Sequence, residues 1–294
     1  MEDPPSYLPS GAPVVLPGRG QSWVWDSPGP AGADTVVLIH GWGSTASIHW
    51  CGCFRPLSHQ FRAVAMDLRG HGRGIRTGAA FSLVDCADDL ASLIETARLG
   101  RVILAGYSMG GPVALLVWRR HPELVKGLVL CATAARFGGG LVRPIDAITR
   151  RVGAVLDILP QRLRQSGLNG ALRASPKTAR LARWARDECR TSEPSAVLQA
   201  ASALNAFDAS DWVDEVDVPT AVLVTRHDRT ISPLRQETTA HAIPGAVSFH
   251  VDGGHRVCIE EPGLFSEALR RACMDVAGTA AARDRARQTD PALS

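Results

Sequence analysis

Short apolar runs recur along this chain, separated by segments in which apolar residues return every three or four positions. Thr35–Ile39, 101–105, 127–131 and Thr220–Thr225 are strand candidates, and within them 35–39, 102–105, 127–131 and 221–224 are apolar and largely branched without alternation. Strands buried on both faces read this way, and parallel sheets flanked by helices contain such strands. Arg62–Met66 and Val247–Val251 add two further candidates. Val14-Val15 and Trp23 to Trp25 suggest an antiparallel hairpin at one edge. The expectation is a mostly parallel, eight-stranded α/β sheet with helices on both faces.

The intervening segments carry helical signals. Residues 82–99 open with Ser82 as an N-cap candidate and place Leu83, Ala87, Leu90, Leu93, Ile94 and Ala97 on one stripe. Residues 112–120 and 260–276 read as helices, and Ser232-Pro233 is a fair start for another reaching Ala242. The alternation then breaks: from Ala135 to Asp217 no strand candidate appears, and 144–159, 176–190 and 194–206 look helical. So long a stretch between two strands is not a loop. It is expected to be a helical cap, residues 135–217, inserted into a core made of 12–134 and 218–277. Residues 1–11 and the Ala- and Arg-rich tail 278–294 are expected to be flexible.

Composition narrows the classes. The 294 residues are 45% hydrophobic, enough for a sizeable core, and a net charge of +3 gives no argument for nucleic acid. Charge is uneven in the cap: residues 136–190 hold 12 Lys and Arg against 4 acidic residues, whereas 191–217 hold 6 acidic residues and no basic one. A solvated face beside its acidic neighbour accounts for this; the alternative is a basic lip for anionic lipid or a phosphorylated acyl carrier. Seven irregularly spaced cysteines do not form a disulfide framework and read as reduced thiols. No secretory leader and no run of about 18 apolar residues is visible, so the cytoplasm is the expected compartment, with peripheral lipid contact open.

Chemistry concentrates at Gly106-Tyr107-Ser108-Met109-Gly110. The segment lies between a strand candidate and a helix candidate, which puts a serine at the apex of a tight turn with its hydroxyl outward. A serine hydroxyl is a weak nucleophile at neutral pH and needs a base, and the base needs an orienting acid. His255, in Asp252-Gly-Gly-His255 between the last strand and the last helix, is the base candidate. Asp228, after the strand Thr220–Thr225, is the acid candidate. Asp252 is its backup, and Asp217 lies on the wrong side of its strand. His227 and Arg229 are expected to be peripheral. Acyl transfer also needs donors for the oxyanion. The backbone N–H groups of Met109 and of Trp42, in His40-Gly41-Trp42-Gly43, are the candidates. Gly41, Tyr107 and the Trp42 side chain are expected at the substrate pocket.

Four segments in order carry a family resemblance: His40-Gly41-Trp42-Gly43, Asp67-Leu-Arg-Gly-His-Gly72, Gly106-Tyr-Ser-Met-Gly-Gly111, and Gly253-Gly-His255 followed by Glu261-Pro262. Over residues 12–275 the chain resembles capped α/β-hydrolase fold enzymes. The resemblance implies Ser108 as nucleophile, Asp228 as acid, His255 as base, a mainly structural His71, and no metal or organic cofactor. Relatives with aspartate at the elbow include epoxide hydrolases and haloalkane dehalogenases, and serine argues against both. The cap matches no particular subgroup. The implied activity is that of a carboxylesterase or lipase-like enzyme of lipid metabolism, acting on an acyl ester. A thioester, lactone, diketone C–C bond or perhydrolase chemistry is the alternative, and a non-catalytic ligand receptor a minor one. Oligomeric state is not legible.

Overall fold

The computed structural model describes residues 8–138 and 182–289. The expected helix 144–159, the start of 176–190, residues 1–7 and residues 290–294 lie outside them.

The chain begins with the hairpin β1 (Gly11–Leu16) and β2 (Gly20–Ser27), followed by β3 (Thr35–Ile39), the short helices α1 (Ala46–Trp50) and α2 (Phe54–Leu57), and β4 (Arg62–Met66). Next come α3 (Leu83–Thr96), β5 (Val102–Tyr107), α4 (Gly110–Arg120) and β6 (Val125–Cys131). Helices α5 (Ala182–Arg190) and α6 (Pro194–Asn205) precede β7 (Thr220–Thr225), α7 (Pro233–Ala242), β8 (Val247–Val251), α8 (Val257–Glu260) and α9 (Pro262–Thr289). The strands form one eight-stranded sheet in the order β1-β2-β4-β3-β5-β6-β7-β8, antiparallel at β1–β2 and β2–β4 and parallel thereafter.

The unalternating strands are explained by helices on both faces. Val37 and Ile39 of β3 join the core with α3 and α4, whereas Val36 and Leu38 join the core with α1, α2 and α9. Both faces are dry, so both sets of positions must be apolar. Ser82 caps α3 as expected, its hydroxyl accepting from the Val84 and Asp85 amides.

Two boundaries differ from the sequence expectation. Strand β1 already starts at Gly11, and the last helix continues to Thr289 instead of giving way to a mobile tail at 278. The tail is poor in bulky apolar residues, but Ala, Arg and Gln are good helix formers. Ala280 is buried and Arg283 donates to the Asp217 carbonyl at 2.6 Å, which anchors the extension.

The insert between β6 and β7 closes on itself at its base. Phe137 N–H donates to Phe207 O at 3.1 Å and Ala209 N–H to Ala135 O at 2.8 Å. Its helices α5 and α6 lie on the loop that follows β4: Gly72 N–H donates to Ser192 Oγ, Glu193 N–H to Gly70 O and Phe81 N–H to Gln199 Oε1, at 2.9, 2.8 and 2.7 Å. Among the described residues no helix is long and apolar enough to cross a membrane.

Candidate active site

Parallel register brings the ends of β3, β5, β7 and β8 to one edge of the sheet, where open α/β sheets place their ligands. Ser108 follows β5 directly and has φ = 53°, a left-handed value that non-glycine residues rarely adopt. Close packing enforces the turn. A Cβ on Gly106 would sit 2.2 Å from the Gly110 carbonyl oxygen, and one on Gly110 would sit 2.2 Å from the Ile39 carbonyl oxygen. Only the first of these is a collision across the turn; the second is with the neighbouring strand. Thr133 Oγ1 donates to the Ser108 carbonyl at 2.7 Å, and the Gly111 amide donates to it at 2.9 Å. Gly110→Ala is therefore expected to destabilise the fold by about 3 kcal/mol or more, because the obstacle is backbone and cannot rotate away. Urea denaturation with an unchanged m-value checks it.

The structure brings Ser108, His255 and Asp228 together. His255 Nε2 lies 3.1 Å from Ser108 Oγ, and His255 Nδ1 lies 2.7 Å from Asp228 Oδ2. An ionised carboxylate only accepts, so Nδ1 carries the proton and Nε2 offers its lone pair to the serine hydroxyl. Asp228 is buried and fully engaged. Its Oδ1 accepts from the Thr230 and Ile231 amides at 2.7 and 2.9 Å, and its Oδ2 also accepts from Thr225 Oγ1 and Gln236 Nε2 at 2.9 and 3.2 Å. Burial alone would raise the Asp228 pKa, but the hydrogen bond and charge of His255 and the two amides outweigh it and hold the pKa below the ordinary value. Asp252, the backup acid, is exposed and pairs with His227 at 2.7 Å. Asp217 accepts from the Trp118 indole at 3.0 Å, away from these loops.

The loop after β3 is aimed by histidines. His40 Nε2 accepts from the Leu68 amide at 2.9 Å, and its Nδ1 donates to the Gly41 carbonyl at 2.8 Å. His49 Nδ1 accepts from the Gly41 amide at 2.9 Å. Burial, then the nearby charges of His255 and His71, drives His49 down to about 3, so it is a neutral acceptor. A Cβ on Gly41 would lie 2.9 Å from His49 Cε1 and 3.1 Å from Ser108 Cβ, which places this glycine against the nucleophile candidate. Among the described residues, the amide N–H groups of Trp42 and Met109 have no acceptor, while the Ser108 amide donates to the Cys131 carbonyl at 2.9 Å. Met109 also sits at the N-terminus of α4, where the helix dipole favours negative charge.

Tyr107 departs from expectation. Its side chain is 1% exposed and belongs to the core with α1 and α9, not to the surface beside Ser108. Successive residues of a strand point to opposite faces, and Tyr107 follows Ile103 and Ala105 onto that side.

Several contributors escaped sequence reasoning. Gln236 and Thr225 orient Asp228, but nothing in Pro233–Ala242 marks one glutamine as buried. Glu188 of α5 is a second case: it accepts from Ser47 Oγ at 2.7 Å and pairs with Arg73 at 2.7 Å, pinning the insert to the helix behind the Trp42 loop. Trp42 Nε1 donates to the Val197 carbonyl of α6 at 2.6 Å, so its half-exposed indole adds a second pin. Glu188→Ala removes the buried carboxylate that pairs with Arg73 and accepts from Ser47, whose hydroxyl keeps only Thr45 Oγ1 at 2.9 Å, and is expected to cost about 1–3 kcal/mol, read by calorimetry.

The match to the family model for the alpha/beta hydrolase fold spans residues 34–262, and the chain belongs to that family; it is a hydrolase. Among characterised sequences it is 28% identical over 253 residues to a protein of Agrobacterium fabrum provisionally named carbamate hydrolase RutD, covering 81% of this chain and 92% of the relative. It is 30% identical over 239 residues to a pimeloyl-[acyl-carrier protein] methyl ester esterase of Neisseria meningitidis, covering 79% and 87%. Among solved structures, a thermophilic esterase from Thermogutta terrifontis superposes with a TM-score of 0.73 at 26% identity, covering 91% of this chain and 99% of that one.

Proposed function

We propose that this hydrolase cleaves a carboxylic ester through a Ser108–His255–Asp228 triad and an acyl-enzyme. The observation that carries the reading is the imidazole of His255, 3.1 Å from Ser108 Oγ and 2.7 Å from Asp228 Oδ2, beside two amides without acceptors. His255 Nε2 takes the hydroxyl proton as Ser108 Oγ attacks the ester carbonyl carbon. The amides of Trp42 and Met109 hold the resulting oxyanion. His255 returns the proton to the leaving alcohol as the C–O bond breaks. Water, deprotonated by the same nitrogen, then attacks the acyl-enzyme and frees the acid and Ser108. Asp228, held ionised by its donors, fixes the tautomer and stabilises the imidazolium.

In this reading residues 135–217 form the cap over a core of 12–134 and 218–277. The ester reading is supported by the esterase names of a relative at 30% identity and a structural neighbour at 26%; thioester, lactone and C–C substrates are the alternatives that the same triad could serve. Most of the basic stretch considered as a lip for anionic lipid lies outside the described residues. The test is stoichiometric labelling by a fluorophosphonate, located by mass spectrometry, followed by a p-nitrophenyl ester series of increasing acyl length. Labelling at Ser108 and turnover of the esters are expected. Labelling elsewhere, or none, defeats the proposal.

A further inference from the structure

We infer that Tyr107 is the positioning residue for the general base, and that its hydroxyl ties the loop carrying His255 to the end of the strand that leads into Ser108. The inference rests on the triad reading above. The Tyr107 hydroxyl donates to the His255 carbonyl at 2.6 Å. Among the described residues this is the sole hydrogen bond made by the His255 main chain. The neighbouring Gly253 and Gly254 are held by main-chain bonds to Val251, His227 and Val257, but none of these bonds reaches His255 itself.

The other end of the tie is rigid. The Tyr107 ring stands edge-on to Trp50 and Phe265, at 6.1 and 5.4 Å between ring centres, and tilted against His49 at 5.1 Å. A ring walled on three sides and buried beneath the sheet edge cannot swing its hydroxyl away. The tyrosine adjoins the nucleophile in sequence, so one residue fixes both the Ser108 backbone and the height of the imidazole above it. The acid is held by other means. His227 N–H donates to Gly253 O and Arg226 N–H to Val251 O, both at 3.0 Å, so the Asp228 loop and the His255 loop travel together. Loss of the tie therefore shifts the imidazole against Ser108 more than against Asp228.

Tyr107→Phe removes one oxygen and keeps the packed ring. The expected result is a fall of about tenfold in kcat for a p-nitrophenyl ester, with KM within about twofold of the parent, since misplacing one reacting group is felt in the chemical step. Rates are divided by the number of sites titrated with fluorophosphonate, so unfolded protein does not count. The second-order rate of that labelling is expected to fall in parallel, and it can be read on whatever fraction folds. A per-site kcat within twofold of the parent overturns the inference, even if Tm or the titrated fraction drops, because the tyrosine would then serve only packing. Ser108→Ala, run alongside, separates the two ideas. If that variant keeps its activity, the triad reading itself fails. If it is inactive while Tyr107→Phe runs at full rate, only the tie fails.

Discussion

Ser108→Ala is expected to lower kcat/KM for a p-nitrophenyl acyl ester by on the order of 10⁵-fold. The side chain removed is small, and among the described residues its hydroxyl has one partner, His255 Nε2. The backbone strain at φ = 53° is the same for alanine as for serine, and the Thr133 and Gly111 bonds go to the main-chain carbonyl, which remains. The melting temperature should accordingly stay within about 2 °C of the parent. A small residual rate should survive, because the Trp42 and Met109 amides still polarise a bound carbonyl toward attack by water. A variant that keeps more than a tenth of the parent rate would mean that another group is the nucleophile.

Asp228→Asn is expected to cost about 10⁴-fold in kcat at neutral pH. The reason is local. Donors face both carboxylate oxygens: the Thr230 and Ile231 amides on one, and His255, Thr225 and Gln236 on the other. An asparagine must turn its NH₂ toward one of these sets. Turned to the amides, it opposes two N–H groups that cannot move. Turned to His255, it needs an acceptor at Nδ1, so the ring proton shifts to Nε2 and the lone pair facing Ser108 is lost. The substitution also alters stability with a definite sign. The folded-state pKa of Asp228 lies below the ordinary 3.8, so the carboxylate contributes stability that is present above that value and lost as pH falls through the folded pKa. The gap in Tm between parent and variant should be widest near neutrality and should narrow below about pH 4. Calorimetry across that range checks it, and a gap that grows in acid would contradict the assignment of an ionised Asp228.

Much of this was legible in the chain because burial leaves a strong imprint. The dry runs at β3, β5, β6 and β7 read as strands from their lack of alternation, and their boundaries fell within two residues. The turn at Ser108 was legible because a positive φ and two backbone approaches near 2.2 Å admit only glycine on either side. Asp228 and His255 were singled out as candidates by their places after strands, and both lie in one hydrogen-bonded line with Ser108. What escaped depends on contacts between distant segments. Gln236 looks like any polar helix residue until α7 docks against the end of β7. Glu188 reads as one more surface charge until Ser47 and Arg73 meet it. Tyr107 was misplaced because adjacency in sequence suggested adjacency in the pocket, whereas strand geometry turns it to the opposite face. Residues 278–289 were misread because the absence of apolar residues says nothing about helix propensity.

The grip that α5 and α6 keep on the segment around Trp42 has a kinetic consequence. On the proposed reading, a substrate that touches α5 or α6 presses on the same segment that aims the Trp42 amide, the candidate oxyanion donor. Remote parts of a substrate should then be felt in turnover more than in affinity: trimming a methylene far from the scissile bond would slow the enzyme while leaving half-saturation nearly where it was.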